Sequence, residues 1–280
     1  MDILQTANER MEQLAALMNK DIKQKVSADQ KVKVGVDLGT SSIVFVVLDE
    51  HDVPLFGAFE FADAVRDGLV VNYRESVEVV TRLKDRAEKC LGITLTHASG
   101  AIPPGTVGNN KKVVANVIES AGMEALYTID EPTAAAAVLG LQDGAVVDVG
   151  GGTTGISVFE NGEVIYTADE PTGGTHMTLV LAGYYGVPVE EAEQNKREQK
   201  DSSEHFSVMR PVVEKMAEIT RIHLEKSPSE PLYIVGGASA YSQFKDTFES
   251  YLKMPVFQPN YPQYVTPLGI AMSSGSENLW

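Results

Sequence analysis

Cysteine is almost absent from these 280 residues: Cys90 stands alone, so no intrachain disulfide can form and the chain suits a reducing compartment. Cys90 sits near the end of a helical pattern, where a packing role is expected. Basic residues are scarce as well. Against 39 acids there are 23 lysines and arginines, a net charge of −16 spread along the chain, and such a surface repels both a polyphosphate backbone and an anionic headgroup layer. Neither a nucleic acid nor a membrane is therefore an expected partner. No uninterrupted apolar run exceeds six residues, as in Ile43–Leu48, whereas crossing a bilayer takes roughly 20. The first residues, MDILQTANER, mix charges of both signs and carry no apolar stretch before a small-residue cleavage site, so export is not expected. His51, His97, His176, His205 and His223 are scattered without metal-ligand spacing. His176 is expected to cap a helix or pack. No Gly-x-Ser-x-Gly elbow is present. What is there, 43% apolar residues and 22% charged, is ordinary for a globular protein large enough for one big domain or two related ones.

Residues 3–22 set Ile3, Met11, Leu14, Leu17, Met18 and Ile22 near helical spacing. This predicts an amphipathic helix within 1–29, either docked on the rest of the chain or detachable toward a partner. From Lys31 the period changes to that of strands: Val32 to Val36, Ile43–Leu48 and Val53–Phe61, separated by turns at Gly39–Ser42 and Asp49–Asp52. A helix carrying Val77, Val80, Leu83, Ala87 and Leu91 follows. Next come a strand at His97–Ile102 ended by Pro103 and Pro104, a helix over 113–121 and a strand over 125–129. A second meander is expected at Val146–Val149, Gly155–Phe159 and Glu163–Thr167. It precedes helices over 177–185, 190–200 and 206–225, a strand at Leu232–Val235, and short helices over 242–251 and 267–272. Strands alternating with helices predict an α/β protein.

The order repeats. GVDLGTSSIVFVV, from Gly35, superposes on VVDVGGGTTGISVF, from Val146, with Asp37 over Asp148 and Gly39 over Gly150, 111 residues apart. Two facing lobes are expected, over 30–143 and 144–272, the last helix returning to the first lobe. The polar tail 273–280 is left out of the fold, Trp280 included.

Turns of the form Asp-x-Gly-Thr and Asp-x-Gly-Gly-Gly-Thr line up backbone N–H groups with few side chains to block them, a concavity suited to phosphate oxygens. Asp37 and Asp148 are placed for a divalent cation, and magnesium usually takes one or two carboxylates plus phosphates and water. An anionic chain without local Lys or Arg clusters has to hold phosphate in this way. One such turn is weak evidence; two at equivalent places are much stronger. A third element, residues 129–137, ends a strand at Asp130, places Pro132 in a first helical turn, and follows with four alanines that permit close helix approach. Glu131 at this junction is either a carboxylate favoured by the helix dipole or a base that orients water. In a fourth, residues 234–239, Gly236 and Gly237 follow a buried strand, so that a flat ring or a ribose can approach the backbone.

These four elements, in this order, resemble the actin, sugar kinase and seventy-kilodalton heat-shock ATPase superfamily over about residues 31–272. The resemblance implies two duplicated ribonuclease-H-like lobes around a nucleotide cleft. Glu131-Pro132-Thr133-Ala134-Ala135-Ala136 is similar to the heat-shock branch and Arg66-Asp67-Gly68 to the bacterial actin-like branch. Ala192-Glu193-x-x-Lys196 resembles a segment that contacts adenosine, its alternative being a solvated charged helix. The whole chain, notably Ala168 to His176, is most similar to the ethanolamine-utilisation protein J family, whose members are regarded as chaperone-like proteins of ethanolamine metabolism associated with microcompartments.

Carried onto this chain, the resemblance implies ATP or ADP with magnesium as ligands. Phosphates would be held at residues 38–42 and 150–153, among them Gly39, Thr40, Ser41, Ser42, Gly150, Gly151, Gly152 and Thr153. Glu193, Lys196, Gly236 and Gly237 would face the adenosine. Asp37 and Asp148 would bind magnesium through water, and Glu131 would orient the attacking water. Two departures bear on turnover. Gly155 stands where relatives often carry an acid, and the spacing between the turns leaves no room for the heat-shock insertion with its phosphate-contacting lysine. The expectation is a cytoplasmic, slowly hydrolysing, actin-like chaperone or reactivating factor that acts on proteins of ethanolamine metabolism or a microcompartment. Alternatives are a filament-forming protein and a nucleotide-binding scaffold without turnover.

Overall fold

A computed structural model describes residues 3–27, 29–66, 69–104 and 109–274. Of the segments singled out above, Asp67, Gly68 and 275–280 lie outside the described residues. The chain opens with α1 (Ile3–Leu17), after which β1 (Val32–Leu38), β2 (Ser42–Asp49) and β3 (Pro54–Phe61) form an antiparallel meander. The short hairpin β4 (Val65–Arg66) and β5 (Leu69–Val70) leads into α2 (Tyr73–Leu91). Then β6 (His97–Ile102) joins β1 in parallel, and α3 (Asn109–Ser120) delivers β7 (Glu124–Asp130) parallel to β6. The sheet order is β3-β2-β1-β6-β7.

After α4 (Glu131–Leu139) the plan repeats. Strands β8 (Gly144–Val149), β9 (Thr154–Glu160) and β10 (Glu163–Glu170) form the second meander, followed by α5 (Gly174–Tyr185), α6 (Val189–Glu198) and α7 (Ser203–Lys226). The parallel strands β11 (Leu232–Val235) and β12 (Val256–Phe257), with α8 (Phe244–Leu252) between them, complete a sheet of order β10-β9-β8-β11-β12, and α9 (Val265–Ser273) follows. Strand for strand the two sheets match, so the duplication first visible in two turns extends over both lobes.

The run Ile43–Leu48 is apolar at every position because β2 is covered on both faces. Successive side chains of a strand point to opposite sides. Ile43, Phe45 and Val47 accordingly join a core with Phe56, Leu83 and Leu91 under α2 and α3, while Val44, Val46 and Leu48 join a second core on the other face. Cys90 packs in the first core, and burial pushes its thiol pKa up. In the second lobe Val147 and Ile156 pack with Met177, Phe206, Met209, Phe244 and Phe248. The core between the sheets is built from β2, Val146 of β8, α4, α9 and α1.

The alanines of α4 allow the close approach they predict. A Cβ on Gly269 of α9 would overlap the carbonyl of Ala134, so the two helices meet backbone to backbone. On its other side α9 rests on β1, where Gly35 faces Ala271. Asp130 caps α4 by accepting from the Thr133 amide at 3.0 Å, and Gly140 ends it at φ 60°.

Of the two readings of the N-terminal helix, the docked one holds: Ala7, Met11 and Leu14 are fully buried against β2, β3 and α4. Asn8 accepts from the Asn260 amide at 2.7 Å and ties α1 to the second lobe too. The helix is shorter than its periodicity predicts. It ends at Leu17, Asn19 turns the chain at φ 55°, and Ile22 is left exposed. Strands β4, β5 and β12 carry no sequence signal, because two residues cannot display a period.

Candidate functional site

Four segments that are remote in sequence converge on one cavity of about 370 Å³ between the two sheets. The first is the turn that joins β1 to β2. Gly39 makes it tight, since a Cβ there would come within 2.9 Å of the Ser42 carbonyl. The second is the turn from β8 to β9, closed by the Gly150 N–H donating to the Thr153 carbonyl at 3.0 Å. Behind it the start of α5 holds the turn: Gly174 and Thr175 donate backbone N–H groups to the Gly150 and Gly151 carbonyls at 2.9 and 2.8 Å. His176 accepts from the Gly173 N–H at 3.3 Å, the capping role expected of it. The two turns face each other so closely that any side chain on Gly151 would collide with Ser41.

The third segment is the start of α4. Glu131 enters the cavity beside Asp37 and Asp148, which end equivalent strands. All three carboxyls hold their protons more tightly than usual, burial being the first cause for each. Burial, reinforced by the charge of Asp148, pushes Asp37 up to about 7. Burial pushes Asp148 up to about 6 against the opposing hydrogen bond from the Thr266 hydroxyl, 2.5 Å from Oδ2. Glu131 is raised well above the usual glutamate range, first by burial and then by Asp148, Asp37, Asp169 and Asp130. Charges of one sign collected in a buried place call for a cation. Asp37 and Asp148 are oxygen donors in the number that magnesium takes when phosphates and water complete its shell, so this donor set fits that ion.

The fourth segment is Gly236-Gly237. Gly236 has φ 91°, and a side chain on it would overlap the Asp148 carboxylate and the Val149 carbonyl. Only glycine fits where this backbone passes the carboxylate.

Helix α6 closes the far end and departs from the solvated charged helix that was the alternative. Ala192 and Lys196 are buried. Glu193 lies 2.6 Å from Lys196 and 2.7 Å from Arg197, and Lys196 also donates to the Thr178 hydroxyl at 2.7 Å and the Gly174 carbonyl at 2.9 Å. Burial alone would raise Glu193, but Lys196, Thr178 and Arg197 outweigh it and hold the carboxyl below its ordinary value. Burial lowers Lys196, with Glu193 opposing.

Every residue proposed from sequence therefore lines one cavity: Asp37, Gly39, Thr40, Ser41, Ser42, Glu131, Asp148, Gly150, Gly151, Gly152, Thr153, Glu193, Lys196, Gly236 and Gly237. One expectation needs correction. The chain does have a local basic group, since Lys196, Arg197 and Lys200 all reach the cavity from α6 and its end. One helical face collects bases that an average over the acidic chain hides. Sequence reasoning also missed Phe59 and Phe61 of β3, Tyr241, Tyr264 and Thr266. The i, i+2 spacing of the two phenylalanines puts them on one face of β3, a signal that a cavity would give meaning to. Nothing local marks the others.

Comparison with known proteins agrees with this geometry. The family model for the cell division protein FtsA matches residues 145–269, and that for the MreB/Mbl protein matches residues 57–187. The ethanolamine utilization protein EutJ of Salmonella typhimurium is 41% identical over 94% of this chain and 92% of its own length, and that of Escherichia coli K12 is 39% identical over 96% and 94%. The crystal structure of EutJ from Carboxydothermus hydrogenoformans superposes with a TM-score of 0.91 at 44% identity, covering 97% of this chain and 99% of that one. MreB5 of Spiroplasma citri, solved bound to ADP, shares the fold at a TM-score of 0.71 and 14% identity, covering 85% and 94%. The two matching sheets with their helices are the actin-like ATPase fold, and the chain belongs to the ethanolamine utilization protein EutJ family.

Proposed function

We propose that the cavity binds ATP or ADP with magnesium, and that the chain is a slow ATPase serving as a chaperone-like assembly or reactivating factor in ethanolamine utilisation. The observation that carries this is the opposition of the two turns. A Cβ on Gly151 of one turn would collide with the Ser41 side chain of the other, so a single polyphosphate held by both turns would be gripped from both lobes. A cavity of about 370 Å³ is in the range of small-ligand sites. The MreB5 structures with ADP and AMPPNP share the fold, which supports a nucleotide as the ligand class.

The amides of residues 38–42 and 150–153 would hold the phosphates. Asp37 and Asp148 would hold magnesium through water, and the ion would supply neutralisation of phosphate charge. Gly236 and Gly237 would admit the adenosine, flanked by Glu193 and Lys196. Glu131, its proton affinity raised first by burial and then by its acidic neighbours, would orient the attacking water and receive its proton. Residues 30–143 and 144–272 would act as two lobes that close on the triphosphate and open after release, with α9 returning to the first. That motion would be passed to a partner protein of ethanolamine metabolism or of a microcompartment in the cytoplasm. No helix among the described residues is long and apolar enough to cross a membrane.

Isothermal titration tests the reading. Wild type should bind ATP with an affinity that depends on magnesium, and Asp37→Ala should lose that dependence; a wild type indifferent to both nucleotides overturns it. The match to the MreB/Mbl model favours a second reading, a filament. Light scattering that rises when ATP is added to micromolar protein would support it.

A further inference from the structure

Helix α5 is apolar all round, which its surroundings do not explain. Its 12 residues, GTHMTLVLAGYY, include no Asp, Glu, Lys or Arg. A helix of that kind is expected to be covered on every side. Here only one side is covered. Met177, Leu181 and Ala182 enter the core of the second lobe, while Leu179, Val180 and Tyr184 stay exposed, Leu179 by 49% and Tyr184 by 66%. Helical spacing gathers these three with Gly183 on the solvent side. Val189, exposed just beyond the loop 186–188, extends the patch.

A glycine inside a helix is destabilising relative to alanine. At Gly183 the backbone is not left-handed and nothing lies within 4 Å of the place a Cβ would take, so the chain's own fold does not require glycine there. It leaves a notch in the apolar face where the backbone of another molecule can come close.

Uncovered apolar surface marks an interaction site, and the charges beside it select the occupant. Glu190 and Glu191 lie in the first turn of α6, which follows the Tyr184 end of the face, and Glu204 lies in the first turn of α7. Glu204 accepts from the Tyr185 hydroxyl at 3.2 Å, and Tyr185 meets Tyr184 edge-on at 4.9 Å. None of the three glutamates forms an ion pair among the described residues. A second copy would bring its own three to the same end of the face, on a chain of net charge −16, and like charges across an interface oppose docking. Lysines or arginines would pair with them.

We propose that the solvent face of α5 docks an amphipathic helix of a partner protein. Its apolar stripe lies on Leu179, Val180 and Tyr184, and the lysines or arginines flanking that stripe face Glu190, Glu191 and Glu204. The assignment stands whether or not the cavity binds a nucleotide. A partner here still grips an element of the cavity wall, because the Gly174 and Thr175 amides at the start of α5 hold the β8–β9 turn.

The probe is a labelled synthetic helix of about 18 residues, some five turns, with leucines at helical spacing along one stripe and lysines beside them. One control peptide exchanges the lysines for glutamates, another the leucines for serines. Anisotropy titrations against the full chain should show binding of the first peptide that weakens as salt is raised, and about tenfold weaker binding of either control. Leu179→Gln/Val180→Gln should lose about tenfold or more, the scale of a truncated hot spot, with the melting temperature unchanged. Glu190→Gln/Glu191→Gln should weaken binding severalfold and flatten its salt dependence. Gly183→Ala should raise the melting temperature yet weaken binding, a combination that a merely structural glycine would not give. Equal binding by wild type and Leu179→Gln/Val180→Gln would overturn the proposal, as would a wild type that binds none of the peptides. Preference for the glutamate peptide would overturn the basic character of the partner. A wild-type dimer in ultracentrifugation that Leu179→Gln/Val180→Gln dissociates would give the face to a second copy instead.

Discussion

The guanidinium carbon of Arg197, on α6, lies 3.8 Å from the centroid of the Phe61 ring, on β3. One residue belongs to each lobe, and both line the mouth of the cavity. Phe61 is 59% exposed and touches Phe59 edge-on at 5.2 Å, so its packing depends little on the core. The pair works as a clasp between lobes that leaves the interior of each alone. A cation over an aromatic face contributes about 0.5–2 kcal/mol. Arg197→Ala and Phe61→Leu should each weaken magnesium-ATP binding by roughly two- to thirtyfold on that scale. The double variant should be no weaker than the worse single one, as a titration cycle would read, and Phe61→Leu should melt near the wild-type temperature.

The cavity carboxyls should make the nucleotide-free protein less stable as pH rises. Asp37 is raised to about 7 and Asp148 to about 6, whereas an aspartate in the unfolded chain titrates near ~3.9. Between those limits the folded chain binds protons that the unfolded chain has released, so the stability from these groups is present at low pH and is lost as pH climbs through the folded values. Asp37→Asn should therefore raise the melting temperature at pH 8 relative to wild type and flatten its fall between pH 5 and pH 8. Magnesium-ATP should close most of the gap. Thermal melts at constant ionic strength check this, and an unchanged slope in Asp37→Asn would count against it.

Lys196 and Glu193 form a largely buried pair, with side chains 9% and 24% exposed. Removing one partner of a buried pair typically costs about 3–5 kcal/mol. Here Arg197 still holds the Glu193 carboxylate, so Lys196→Met should destabilise by about 2–3 kcal/mol, below that range. Glu193→Gln should cost more than Lys196→Met, since it takes the carboxylate partner from both the buried Lys196 and Arg197. Urea denaturation of the two variants would measure both effects.

Docking of α1 is a matter of stability. Leu14 is fully buried in the core between the sheets, and Leu14→Ala should cost about 3 kcal/mol by lost transfer energy and cavity formation. Were α1 a detachable arm, the same substitution would leave the urea midpoint unchanged.

Much of this was legible in the chain. Alternating and helical periods placed the long strands and helices, and the repeated Asp-x-Gly turns marked both the duplication and the cavity walls, because backbone amides in a tight turn make their offer to phosphate wherever they sit. Glu131 and Gly236 were legible for a similar reason, being fixed by the strand ends beside them. Lys196 and Glu193 depended on resemblance, since a helix of mixed charge reads as solvated until its buried face is known.

Local residue order determined which segments become strands, where they turn, and that two of the turns repeat one pattern. Tertiary structure alone decided that Arg197 meets Phe61 and that three carboxyls line one cavity. Register, burial and the distance between like charges depend on how elements far apart in the chain pack, and no local pattern encodes them.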